Sequence, residues 1–237
     1  MKTQTLDYKY EGITLRGYLA SPDGSERRPG VLIFHEAPGC DDHVKRRAGM
    51  LAELGYVALA VDMYGEGKVA GSGPEALAMM NEVKGDVPKF QGRLRAGYDA
   101  LVARPNVNPQ QLAAIGYCFG GYCVLELARS GAQLAGAVTF HGLLATENPA
   151  APGKVKPKIL VCTGAEDPLV PAAQVAGFEQ EMTKVGVDWQ VNIYSGAKHA
   201  FTNTAADQIP MPGFGYQPAA DRRSWAAMRG LFSEVFV

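Results

Sequence analysis

The stretch Ile115-Gly116-Tyr117-Cys118-Phe119-Gly120-Gly121 constrains this chain more than any other. It reads Gly-x-Cys-x-Gly-Gly between an apolar run (112–115) and a helix-like segment (122–129). That pattern predicts a strand turning sharply into a helix, a nucleophile elbow with cysteine where serine is more usual. The backbone of such a turn is strained, so the positions two residues to either side must be small, and Gly116 and Gly120 fill them. The turn puts a sulfur at a helix N-terminus, where unpaired N–H groups and the helix dipole favour a thiolate. The competing reading is a glycine-rich turn around a buried structural cysteine.

The rest of the chain supplies the setting that an elbow requires. Residues 3–10 and 13–20 alternate as strands about Glu11-Gly12, which predicts an antiparallel hairpin. A continuous apolar run follows at 31–34, the pattern of a strand buried on both faces of a parallel sheet, and 56–63, 111–117, 135–140, 158–163 and 189–194 read as further strands. Helical stretches alternate with them: from a cap at Asp42 to a stop at Gly55, then 74–84, 87–103, 171–185 and 218–236. The expected fold is one α/β domain over residues 1–237, its mostly parallel sheet covered by helices on both faces and led by the hairpin. Residues 203–217 carry Pro210, Pro212, Gly213 and Gly215, and read as a surface loop near the mouth of a site.

Composition removes several classes of function. With 23 basic and 24 acidic residues the net charge is -1, which offers nothing to attract nucleic acid. No apolar run approaches the roughly 20 residues needed to span a bilayer, and residues 1–24 lack the apolar core of a signal peptide. Cytoplasmic location without membrane association is therefore the expectation. Cys40, Cys118, Cys123 and Cys162 show no C-x-x-C spacing, which argues against a zinc site or a redox pair. Cys123 and Cys162 read as packing residues.

Ligands of open parallel sheets sit beyond the C-terminal ends of the strands. The polar residues placed there are His35 and Glu36, Asp62 and Tyr64, Cys118, His141, Glu166 and Asp167, and His199. Cys118, Asp167 and His199 follow one another as nucleophile, acid and base, the chain order of the α/β-hydrolase triad. Glu166 rivals Asp167 for the acid, and His35 and His141 rival His199 for the base. Asp167 is preferred because the Asp-Pro step suits a rigid turn after a strand.

These pieces together resemble the dienelactone hydrolase family of α/β-hydrolases over almost the whole chain. The likeness is carried by 35-HEAPG-39, 62-DMY-64, 116-GYCFGG-121, 164-GAED-167 and 199-HAF-201. It implies a Cys118–Asp167–His199 triad with Glu36 as a fourth catalytic residue, and an oxyanion hole from the backbone N–H groups of Ala37 and Phe119. Like-charge repulsion from Glu36 would disfavour a resting thiolate at Cys118. Tyr64, Phe119, His141 and Phe201 are expected as pocket walls. Members that act on dienelactone hold its carboxylate with two arginines, and the matching places here carry Glu66 and Asn203, with Lys68 nearby. The expectation is a hydrolase of neutral carboxylic esters or lactones working through a thioester, with neither metal nor organic cofactor. Phosphotriester hydrolysis or dienelactone hydrolysis in the same site, or a non-catalytic small-molecule receptor, are the alternatives.

Overall fold

A computed structural model describes residues 1–237. Its eight strands lie in the order β1-β2-β4-β3-β5-β6-β7-β8 in one mixed, mostly parallel sheet, and six α-helices accompany them. Residue contacts divide the chain into two compact units, Met1–Ala114 and Ile115–Val237.

In the first unit, β1 (Lys2–Tyr10) and β2 (Ile13–Ser21) form the expected antiparallel hairpin, with Tyr10 opposite Ile13. Glu11 and Gly12 both take positive φ, 47° and 81°, as a two-residue turn between twisted strands requires. Strands β3 (Arg28–Phe34) and β4 (Val57–Val61) pair in parallel, and β4 also pairs antiparallel with β2. All five residues of β4, Val-Ala-Leu-Ala-Val, are buried, so its lack of alternation reflects cover on both faces. Helix α1 (Asp42–Glu53) is capped by Asp41 and not by Asp42: the Asp41 carboxylate accepts from the N–H groups of His43 and Val44. Asp42 instead sits in the first turn. Helices α2 (Gly73–Gly85) and α3 (Val87–Val102) each begin with a side-chain cap followed by proline.

The strand β5 (Val107–Tyr117) starts before the apolar run, because Asn108, Pro109 and Gln110 are extended although they carry no apolar pattern. The second unit continues with α4 (Phe119–Arg129), β6 (Gly136–Phe140), β7 (Lys158–Gly164), α5 (Ala172–Lys184), β8 (Trp189–Tyr194) and α6 (Pro218–Val235). Strands β6, β7 and β8 pair in parallel. Helix α4 is buried almost all round, and Arg129 at its end is fully paired. Its guanidinium donates to Glu126 at 2.9 Å, to both oxygens of Glu181 on α5, and to the Leu144 carbonyl at 3.1 Å. A buried charge is tolerated only with such satisfaction, so this clip ties α4, α5 and the loop after β6 together. No helix is long and apolar enough to cross a membrane.

Candidate active site

The elbow forms as its glycines require. Cys118 joins β5 to α4 with φ 52° and ψ −114°, a conformation that L-residues rarely hold. Its N–H donates to the Phe140 carbonyl at 3.0 Å, and its carbonyl accepts from Gly121 N at 3.0 Å. A Cβ on residue 116 would come within 2.0 Å of the Gly120 carbonyl oxygen, and one on residue 121 within 2.2 Å of Thr139 Oγ1. Both glycines are there for close approach. No side chain caps α4, so Cys118 itself stands at the positive end of the helix dipole. It is the one cysteine not buried. Burial pushes the thiols of Cys40 and Cys162 up to about 12, which keeps them protonated.

Asp167 and His199 meet directly. Asp167 Oδ2 lies 2.8 Å from His199 Nδ1, with both side chains buried, while Oδ1 accepts from Leu169 N at 2.9 Å. Glu166 is exposed and makes no such contact. Burial works against a charged His199, but the Cys118 sulfur and the Asp167 carboxylate outweigh it and raise the imidazole pKa to about 10. His199 Nε2 is buried with no hydrogen bond of normal geometry, so the influence of Cys118 on the ring is chiefly electrostatic.

His141 and Phe201 have no exposed surface and do not form a pocket wall. His141 bonds Thr202 Oγ1 through Nε2 at 2.8 Å, and its ring stands edge-on to both His199 and Phe201 at 5.2 Å. They pack about the catalytic-type histidine instead. The Phe119 side chain is also enclosed, and its residue opens α4. Asn203 spends its side-chain oxygen on Ala205 N at 3.0 Å, fixing the turn that leaves His199-Ala200-Phe201.

Residues 203–217 are more ordered than their prolines and glycines suggest. A single 3₁₀ turn (Ala206–Gln208) starts the segment, and residues 213–215 then run beside His199. His199 N donates to the Gly213 carbonyl at 2.8 Å, and Gly215 N donates to the His199 carbonyl at 3.1 Å. The Phe214 ring meets the imidazole at 4.8 Å and 62°. Sequence reading missed Phe214; the signal was an aromatic residue between two glycines in a segment expected near the site.

In the first unit, the turn after β3 is held by a network of its own. His35 Nε2 accepts from Met63 N at 3.3 Å, which leaves Nδ1–H to donate to the Glu36 carbonyl at 2.6 Å. Burial lowers the His35 pKa and keeps the ring neutral, so both nitrogens are committed to structure. Gly39 N donates to the same Glu36 carbonyl at 3.2 Å. Because the peptide is planar and trans, anchoring that carbonyl also fixes the direction of the Ala37 N–H on its other side. Tyr64 is buried and donates its hydroxyl to the Ala37 carbonyl at 2.6 Å, so it acts as a brace for the turn. Asp62 accepts from the N–H groups of Arg16, Tyr64, Gly65 and Gly67, all within 2.9 Å, and holds the loop after β4. Glu36 is buried, whereas Glu66 and Lys68 are exposed.

Comparison with known proteins agrees with this geometry. The model of the dienelactone hydrolase family matches residues 15–236. A solved structure called m3DLH is 42% identical, covers 99% of this chain and 98% of its own, and superposes with a TM-score of 0.93. A dienelactone hydrolase-like promiscuous phosphotriesterase, P91, from metagenomic libraries is 39% identical with the same coverage and TM-score. A putative carboxymethylenebutenolidase of Synechocystis sp. is 28% identical, with 98% of this chain and 96% of that protein aligned. An elbow, an acid–histidine pair behind it and a match along nearly the full length lead to one conclusion: the chain belongs to the dienelactone hydrolase family of hydrolases.

Proposed function

We propose that this hydrolase cleaves neutral carboxylic esters or lactones with Cys118 as nucleophile and His199 and Asp167 as base and orienting acid. The observation that carries the reading is the buried Asp167–His199 pair whose imidazole is held in its charged form by the sulfur at the strained elbow. The Cys118 thiolate attacks the carbonyl carbon, and the oxygen takes up the negative charge. As the tetrahedral intermediate collapses, the His199 proton passes to the departing alkoxide, leaving a thioester and neutral imidazole. His199 then takes a proton from water, the hydroxide attacks the thioester, and acid release restores thiolate and imidazolium. Asp167 keeps Nδ1 protonated so that Nε2 can exchange the proton. The N–H groups of Phe119 and Ala37 are assigned to the oxyanion, and Glu36 to tuning the thiolate through its negative charge, on the family motifs.

A second reading, phosphotriester hydrolysis at the same sulfur, is favoured by one observation: the neighbour described as a promiscuous phosphotriesterase is similar over the full length. The test is a panel of neutral aryl ester, dienelactone and phosphotriester with wild type, Cys118→Ala and His199→Ala. Ester turnover lost in both variants, with an acyl adduct on Cys118 by intact mass, supports the first reading. Turnover of Cys118→Ala within tenfold of wild type removes the sulfur as nucleophile.

A further inference from the structure

We propose that Phe214 is a positioning residue for His199, acting through the imidazole and not on the substrate; this rests on the hydrolase reading above. The Asp167 carboxylate holds His199 at one atom, Nδ1, and Nε2 has no hydrogen bond of normal geometry. A ring fixed at one nitrogen retains freedom to tilt, and tilt carries Nε2 away from the sulfur it must serve. Phe214 meets that ring at 4.8 Å and 62°, and His141 meets it at 5.2 Å and 68°. Two ring contacts and one hydrogen bond together define its plane.

Phe214 is itself carried by a fastened strap. On either side of the phenylalanine, the Gly213 carbonyl accepts from His199 N and Gly215 N donates to the His199 carbonyl. Gly213 has φ 85°, and a Cβ there would come within 2.4 Å of Pro168 Cγ, next to the acid. The strap therefore touches the segments bearing both members of the acid–histidine pair. Tyr216 N bonds Asp207 Oδ1 at 3.0 Å and Gln217 N bonds the Phe201 carbonyl at 3.0 Å, which secures its far end. Phe214 is half-buried, so its ring also keeps water from the imidazole and leaves the sulfur's and Asp167's influence unscreened.

The experiment pairs steady-state kinetics on a neutral aryl ester with the pH dependence of Cys118 alkylation by iodoacetamide. For Phe214→Ala, kcat is expected to fall roughly tenfold to a hundredfold with KM within about threefold, as misorientation near the reacting atoms does. The alkylation limb is expected to move to higher pH by roughly half a unit or more, because a loosened imidazolium stabilises the thiolate less. Phe214→Tyr, which keeps the ring, restores both. Should Phe214→Ala fail to fold, Phe214→Leu carries the same test by keeping bulk without the ring. The proposal is overturned by a kcat within about twofold of wild type, by a rise in KM at constant kcat (a substrate wall), or by lowered thermal stability with an unmoved alkylation limb. If wild type hydrolyses no ester the proposed function fails, and the alkylation profile still decides the role of Phe214.

Discussion

The strain at Cys118 makes a prediction about stability that is independent of substrate. At φ 52° and ψ −114°, residue 118 pays for a conformation that glycine adopts at little cost. Replacing cysteine by alanine removes the sulfur and retains the strained Cβ; replacing it by glycine removes both. Backbone strain of this kind is about 1–3 kcal/mol, and the greater freedom of unfolded glycine offsets about 0.5–1 kcal/mol. Position 118 is also the N-cap of α4, where glycine is preferred to alanine. Cys118→Gly should therefore be more stable than Cys118→Ala by about 1–2 kcal/mol, which is roughly 2–8 °C in Tm for a chain of this size. Urea unfolding of the two variants, with equal slopes, measures the difference. The neighbouring position supplies the opposite sign: Gly116→Ala places a Cβ 2.0 Å from the Gly120 carbonyl and should be severely destabilised. An alanine variant at 118 as stable as the glycine variant would refute the idea that the elbow stores strain.

Three further outcomes are expected. Burial, reinforced by Arg47 and Arg46, lowers the His43 pKa to about 3, below its unfolded value near 6.5, so its contribution is full above pH 6.5 and is lost as pH falls toward 3. At pH 5.5 the loss from this group is about 1.4 kcal/mol relative to pH 7.5, so the gain in stability from pH 5.5 to 7.5, measured by urea unfolding, should be about 1.4 kcal/mol smaller in His43→Gln than in wild type. Glu66 is exposed and Asn203 is committed to its turn, so neither replaces an arginine clamp, and two such clamps are worth roughly two to four decades in kcat/KM for a carboxylate substrate. A neutral ester should be preferred to dienelactone, and a dienelactone preference abolished by Lys68→Ala would reverse that conclusion. Glu36→Gln should slow acylation and speed alkylation of Cys118 in the free enzyme; unchanged rates of both would make Glu36 a structural residue of its turn.

The fold was legible in the sequence wherever one local rule acted without competition. Apolar runs marked most strands, Glu11-Gly12 marked the hairpin, and Gly116 declared a close approach of the elbow, whereas the tight packing of Gly121 against Thr139 was visible only in the structure. The N-cap of α1 slipped by one residue because Asp41 and Asp42 are chemically equal, and only the helix's entry path chose between them. At the candidate site, the order of Cys118, Asp167 and His199 could be read because each follows a strand. Which acid met the histidine was decided by backbone direction: Asp167 turns inward to His199 and Glu166 outward to solvent. The fates of His35, Tyr64 and His141 were likewise tertiary, since a strand-end histidine or tyrosine looks the same whether it faces a ligand or ties a turn. Phe214 carried only a weak local mark, an aromatic residue between two glycines, and its role was set by tertiary contact. Residue type and spacing record what a segment can form, whereas the contact of Phe214 with His199 exists only because Gly213 and Gly215 bond the two segments side by side.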